Sequence, residues 1–321
     1  MTSPLLERAT ERVTLDGHDG RSGAHLERIR LDDGTSLILK TATPGTDITV
    51  EISGGVAREQ RLWTSGALDR LTPPVSHAII DVWDDGDATC TLMRDLGDAV
   101  PGWSRILSTD ECGRILDAMV GLHATFLGDL PADLCTLELR VAALSPRTMR
   151  RYVGGHGLAE VIVRGWERFA EVTPPDLLPA VRALHDDPSP LVAAMREGPT
   201  TLVHADLWPV NLALEHDRVV LLDWAIATDG PPALDLAVFL TGSAAHVEPS
   251  REELIDGFRA RSPVTDDRAM RLALLFGLLD LGWNKALDAT EHEDPAIRDR
   301  ELADLRWWQE RARDALDAEG F

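Results

Sequence analysis

Lysine is almost absent from this chain. Among 321 residues only Lys40 and Lys285 are lysines, and arginine supplies the rest of the positive charge. Cysteine is scarce as well. Cys90, Cys112 and Cys135 are too few and too irregularly spaced for a disulfide framework or a zinc site, so buried thiols in a reducing cytoplasm are expected. No apolar run reaches the roughly 18 residues that a membrane span needs. The opening MTSPLLERATERV has no basic region followed by an apolar stretch, so no secretion signal is expected and the chain reads as cytoplasmic. A basic surplus is missing too: the net charge is −22, which argues against nucleic acid and anionic membranes as partners. That acidity is compatible with a cationic substrate such as an amino sugar, and equally with a solubility effect alone.

What the chain does contain changes texture near residue 95. Ala24–Leu31 and Ser36–Lys40 alternate with period two around Asp32-Asp33-Gly34-Thr35, which reads as a hairpin. A glycine-rich loop, residues 15–23, precedes them. A helix is predicted over about 56–71, stopped by Thr72-Pro73-Pro74. Apolar runs at His77–Trp83 and Ala88–Met93 flank a second hairpin signal, Asp84-Asp85-Gly86-Asp87. Beyond Asp98 helices dominate. Ser108 or Thr109 can cap a long amphipathic one through Phe126, and others follow near 157–171, 176–187 and from Leu234 onward. Only two short strands interrupt them, Thr201–His204 and Val219–Leu222. Strands first and helices after imply an α+β chain of two lobes, 1–95 and 96–321.

Those two short strands bracket the densest chemistry. The run His204-Ala205-Asp206-Leu207-Trp208-Pro209-Val210-Asn211 has the spacing H-x-D-x-x-x-x-N, and Asp223 ends an apolar strand twelve residues after Asn211. Phosphoryl transfer needs a carboxylate to orient the attacking hydroxyl and accept its proton, and oxygen ligands for Mg²⁺. Asp206 can be that base, and Asn211 a first metal ligand. A hairpin of this length returns Asp223 to the same metal. Singly, each residue also reads as a turn, a cap or a core histidine. Their order, with an apolar strand on either side, favours the catalytic reading.

Residues 202–224 resemble the catalytic segment of the aminoglycoside phosphotransferases and their relatives, the choline, homoserine and fructosamine kinases, which share the protein-kinase fold. The resemblance spans about 15–98 and 108–240. It implies a bilobal fold, with an antiparallel five-stranded sheet and one helix in the N-terminal lobe and a mostly helical C-terminal lobe. It implies ATP as co-substrate, Mg²⁺, and a hydroxylated small molecule as acceptor. By the same likeness Asp235, opening a helix in Pro231–Ala237, braces the loop around His204. Lys40 pairs the α- and β-phosphates and is bonded to a helix glutamate, Glu59 or failing that Glu51. A compact ammonium rather than a planar fork suits that task. Gly20, Ser22 and Gly23 cover the phosphates, and the segment Thr91–Gly97, with Met93 and Asp95, joins the lobes beside adenine. The loop departs from the G-x-G-x-x-G of protein kinases.

The acceptor end is less marked. On the predicted helix Leu272–Leu287, Asp280, Trp283 and Asn284 share one face at i, i+3 and i+4, which suits a polar hydroxylated ligand. The same residues also read as a core tryptophan beside a solvated carboxylate. Two other functions compete. A catalytically silent kinase-fold binding protein usually lacks one of Lys40, Asp206, Asn211 and Asp223, and all four are here. A metal-dependent hydrolase built on His204 and Asp206 lacks the further ligands such sites require.

Overall fold

A computed structural model describes residues 3–15 and 22–321. Its N-terminal part runs β1 (Ala9–Thr14), β2 (His25–Leu31), β3 (Ser36–Ala42), α1 (Ile48–Ile52), α2 (Arg58–Thr64), β4 (Val75–His77), β5 (Ile79–Asp85) and β6 (Ala88–Arg94). Five of these strands form an antiparallel sheet in the order β1-β2-β3-β6-β5. Period-two alternation sends Ile29, Leu31, Leu37, Leu39, Trp83 and Leu92 into a small core on one face. Lys40, one residue out of phase with Leu37 and Leu39, is therefore delivered to the opposite face, where it too is buried. The helix predicted over 56–71 is shorter in the structure. It ends at Thr64 because the chain turns through Gly66 in a left-handed conformation, φ 72°. A short 3₁₀ turn, Leu68–Arg70, continues from it.

The remainder is built from α3 (Thr109–Phe126), α4 (Leu137–Ala142), α5 (Pro146–Met149), α6 (Gly157–Val172), α7 (Leu178–Asp186) and α8 (Ser189–Met195). Four short strands follow, β7 (Thr201–Val203), β8 (Leu212–Leu214), β9 (Val219–Leu221) and β10 (Thr228–Gly230). The chain then closes with α9 (Ala233–Ser243), α10 (Arg251–Arg261), α11 (Asp267–Glu291) and α12 (Pro295–Glu319). Ser108 caps α3 in a reciprocal box with Glu111. The central helix α11 packs on α12, α6 and α9 and is buried along most of its length. Among the described residues no helix is long and apolar enough to cross a membrane.

Three pairings position the site. The strands that bracket the motif do not pair with each other: β7 pairs with β10, whereas β9 pairs antiparallel with β8. On its other side β9 takes β4 as a parallel partner, so a strand from the first 95 residues completes a sheet of the helical part.

Candidate active site

The motif is a loop between β7 and β8, held from beneath. Asp235, wholly buried in the first turn of α9, accepts the N–H groups of His204 (3.1 Å) and Ala205 (2.7 Å). The His123 ring lies 2.8 Å from the same carboxylate. These bonds hold Ala205 at φ 65°, a left-handed conformation that costs an alanine roughly 1–2 kcal/mol. The strain is local, and its result is a sharp turn just ahead of Asp206. The His204 ring stays in the core, tilted against the Trp224 indole at 4.6 Å between centroids.

Past that turn Asp206 enters a cavity of about 390 Å³ that Asn211 and Asp223 also line. Asn211 donates through Nδ2 to the Asp206 carboxylate (2.7 Å) and to its carbonyl (3.0 Å). The amide oxygen of Asn211 is thus the end left for a cation. The Leu222 N–H donates to the Asn211 carbonyl at 2.8 Å, which sets Asp223 beside Asn211 at the mouth of the β8–β9 hairpin. Asp223 itself is at φ 58°. The depth of the cavity and the neighbouring Asp223 charge push the Asp206 carboxyl up to about 7, against the opposing pull of Arg140 and Lys40.

Lys40 reaches this group from β3. Its ammonium lies 2.7 Å from Asp223 and 3.1 Å from Glu59 of α2. Glu59 in turn accepts the N–H of Trp224 at 3.2 Å. Burial alone would strip the proton from Lys40, but the Asp223 and Glu59 charges outweigh it and raise the amine. Lys40 likewise holds Asp223 below the usual carboxylate range despite burial. Glu51 is elsewhere, accepting the Gly45 N–H. Among the described residues no three His, Cys, Asp or Glu side chains gather as a metal cage. Asn211 and Asp223 instead offer two hard oxygen donors. That is the small protein share Mg²⁺ takes when phosphates and waters complete its octahedron, so the residues fit the ion.

The other predicted residues are placed as follows. Gly20 lies outside the described residues. Ser22 lines the cavity, and its carbonyl accepts from Ile48 (2.8 Å) and from His156 Nε2 (3.0 Å). Gly23 has φ 97°, and a Cβ there would fall 2.0 Å from the Thr46 carbonyl oxygen. Met93 is buried in β6 between Ile38 and Ile79. The Asp95 carboxylate is occupied by Arg28 (2.8 Å) and Ser36 (2.7 Å), which leaves only backbone groups there for a ligand. Asp280, Trp283 and Asn284 all line the cavity. Asp280 is buried rather than solvated, gripped by Arg140 at 2.6 and 2.9 Å. Asn284 donates to Asp288 at 3.3 Å.

Sequence reasoning passed over Arg140, whose guanidinium bonds both Asp280 and the Ala205 carbonyl. It also missed Trp103 and Trp208, which meet edge to face at 5.6 Å on the cavity wall. It missed Lys285, buried between Glu301 (2.9 Å) and Asp304 (2.8 Å). A signal for the last was available. The rarity that marks Lys40 marks Lys285 equally, and each of the two lysines sits between two carboxylates.

No curated protein matches the chain by sequence. Among solved structures, the choline kinase LicA from Streptococcus pneumoniae aligns with a TM-score of 0.56 at 12% identity, covering 95% of each chain. A type VIII aminoglycoside-3'-phosphotransferase aligns with a TM-score of 0.52 at 16% identity, covering 85% of this chain and 94% of its own. At such identities the likeness is one of fold, and that fold is protein-kinase-like. The model of the phosphotransferase enzyme family matches residues 21–273, and with most of its length inside that match the chain belongs to this family and is a phosphotransferase.

Proposed function

We propose that this phosphotransferase moves the γ-phosphoryl group of ATP, with Mg²⁺, to a hydroxyl of a small molecule in the cytoplasm. In this reading residues 1–95 bind the nucleotide and 96–321 bind the acceptor and carry the base. What supports it is one observation above the others. Lys40, Asp206, Asn211 and Asp223 come from three separate stretches: Lys40 bonds Asp223, Asn211 bonds Asp206, and the last three of the four line one cavity.

The chemistry follows from the parts. The acceptor oxygen attacks the γ-phosphorus, the bond to the β,γ-bridging oxygen breaks, and ADP leaves with that electron pair. The hydroxyl proton passes to an oxygen of Asp206. Asn211 holds the other side of that carboxylate, so one oxygen is oriented by the amide and the second faces the acceptor. Lys40 supplies a fixed positive charge at the phosphates. Mg²⁺ held by Asn211 and Asp223 would neutralise charge on the phosphate oxygens. In this reading the Ser22 hydroxyl donates to a phosphate, and Met93 and the backbone at Asp95 border adenine.

Calorimetry of Mg·ATP binding paired with a transfer assay tests this. Asp206→Ala is expected to leave Mg·ATP affinity within a few-fold and to lower kcat by about 10²-fold or more. Asp223→Asn should cut turnover comparably at saturating Mg²⁺. Near-normal transfer by either variant would remove that residue from the mechanism.

A further inference from the structure

The charge of this protein is −22, which invites a polycationic acceptor, yet the acceptor end of the cavity does not carry that surplus. Leaving Asp206 and Asp223 aside, its charged lining residues are Arg140, Lys285 and Arg300 against Asp280, Asp288 and Glu301, three of each sign. Two of the three carboxylates, Asp280 and Glu301, are ion-paired in place. Asp280 is held bidentately by Arg140. Glu301 takes Lys285 at 2.9 Å and Arg300 at 2.8 Å. Asp288 accepts from Asn284. A ligand ammonium would have to displace a protein cation to reach Asp280 or Glu301, and a displaced buried cation is costly.

The rest of the lining is largely apolar. Trp103 and Trp208 contribute to it, with His246 tilted on Trp103 at 5.3 Å. Leu158 of α6 is a half-buried lining residue, and Met149, Ile162 and Leu281 of α5, α6 and α11 line the cavity as buried ones. Both tryptophans are half-buried, so part of each ring faces the cavity. Large rigid aromatic surface of this kind gains most from covering an apolar body.

We infer that the acceptor is a largely apolar, hydroxylated molecule of low net charge, and not a polyamine sugar. Its hydroxyl is presented to Asp206 while its apolar body lies against Trp103, Trp208 and Leu158. This rests on the phosphotransferase reading of the same cavity, and it narrows the acceptor class within it.

The test uses the full chain with Mg·ADP present and the neutral fluorescent probe N-phenyl-1-naphthylamine. Saturable binding of one probe per chain is expected, weakened about tenfold or more by Trp103→Ala or Trp208→Ala, each of which removes a large aromatic surface. Leu158→Glu, at another half-buried lining residue, is a third variant expected to do the same, and melting curves show which variants are folded. Octyl β-D-glucopyranoside below its micellar concentration should displace the probe; kanamycin and choline should not. Displacement by kanamycin or choline but not by the glucoside overturns the inference. So does a complete lack of saturable probe binding, or binding unchanged in all three variants. Mg·ADP binding followed by calorimetry separates the two readings. If it persists while the probe fails, only the acceptor class is wrong, and if it is absent, the phosphotransferase reading of the cavity itself fails.

Discussion

Arg140 is bonded twice to the single carbonyl oxygen of Ala205, through Nε at 3.1 Å and through Nη at 2.8 Å. The residue so held stands in a left-handed conformation directly before Asp206. Since Asp280 grips the far side of the guanidinium, the cavity wall and the turn before Asp206 share one buried ion pair.

Breaking that pair from one side leaves a charge without a partner in the interior. Asp280→Ala is expected to lower unfolding stability by about 3–5 kcal/mol in urea titration. Arg140→Met combined with Asp280→Leu should cost less than Asp280→Ala alone, because no buried charge is then left over. A double variant worse than either single one would show that the Ala205 carbonyl, rather than charge balance, is what the pair serves.

Lys40 offers a parallel case with a different readout. Lys40→Met leaves Glu59 and Asp223 facing each other without their shared cation. The expected result is a loss of about 3–5 kcal/mol at neutral pH, together with much weaker Mg·ATP binding by calorimetry. A variant as stable as the parent would mean that water reaches and screens the two carboxylates.

Two glycines separate strain from clash. Gly23 and Gly34 both have positive φ, 97° and 85°, but only at Gly23 would a Cβ meet backbone, the Thr46 oxygen. Gly34→Ala should cost about 1–2 kcal/mol, as a left-handed alanine does. Gly23→Ala should cost more and weaken nucleotide binding too, since Ser22 and the Ile48 N–H must move. Equal thermal midpoints for the two would refute the clash.

His185 gives the pH prediction. Its ring is buried, packs on Trp166 at 4.4 Å and lies 3.0 Å from the Leu279 carbonyl, to which it donates when neutral. Burial lowers it to about 4 from an ordinary 6.5. Between those values the unfolded chain takes up a proton and the folded one does not. Stability therefore falls as pH drops through that window, by up to about 1.4 kcal/mol per pH unit. His185→Gln, which keeps a donor for Leu279 but cannot titrate, should flatten this part of the profile. Unfolding midpoints measured from neutral pH down to about 4 decide it, and an unchanged slope excludes His185 as the source.

Much of this was legible in the sequence where one stretch of chain is enough. The β2–β3 hairpin, the Ser108 cap and the Lys40 strand follow from local pattern. The spacing of Asp206, Asn211 and Asp223 also needs only one hairpin. Arg140 was not legible. In Leu137-Glu138-Leu139-Arg140 it reads as the polar side of an ordinary helix, and its partner is 140 residues away. Asp280 lines the cavity with Trp283 and Asn284, as their spacing suggests, but its pairing with Arg140 instead of solvent depends on the same distant partner. Periodicity says which side chains point together, and it is silent about what waits across the gap. Helix length over 56–71 failed differently, because a glycine can sit inside a helix or end one, and here it ends one at Thr64.

The parallel pairing of β4 with β9 makes the first 95 residues a lender to the rest of the molecule. The Val219 N–H reaches back to the Pro74 carbonyl at 2.8 Å, and Arg94 meets Glu215 at 2.6 Å. With the Lys40–Asp223 and Glu59–Trp224 bonds, they fasten the two stretches of chain at several points. Arg94 faces Leu37 at one end of β3, whereas Ser22 lies beyond the other end, where His25 faces Thr41. Ties thus stand at both ends of β3, so parting the two stretches of chain would break contacts at each end and not at one alone.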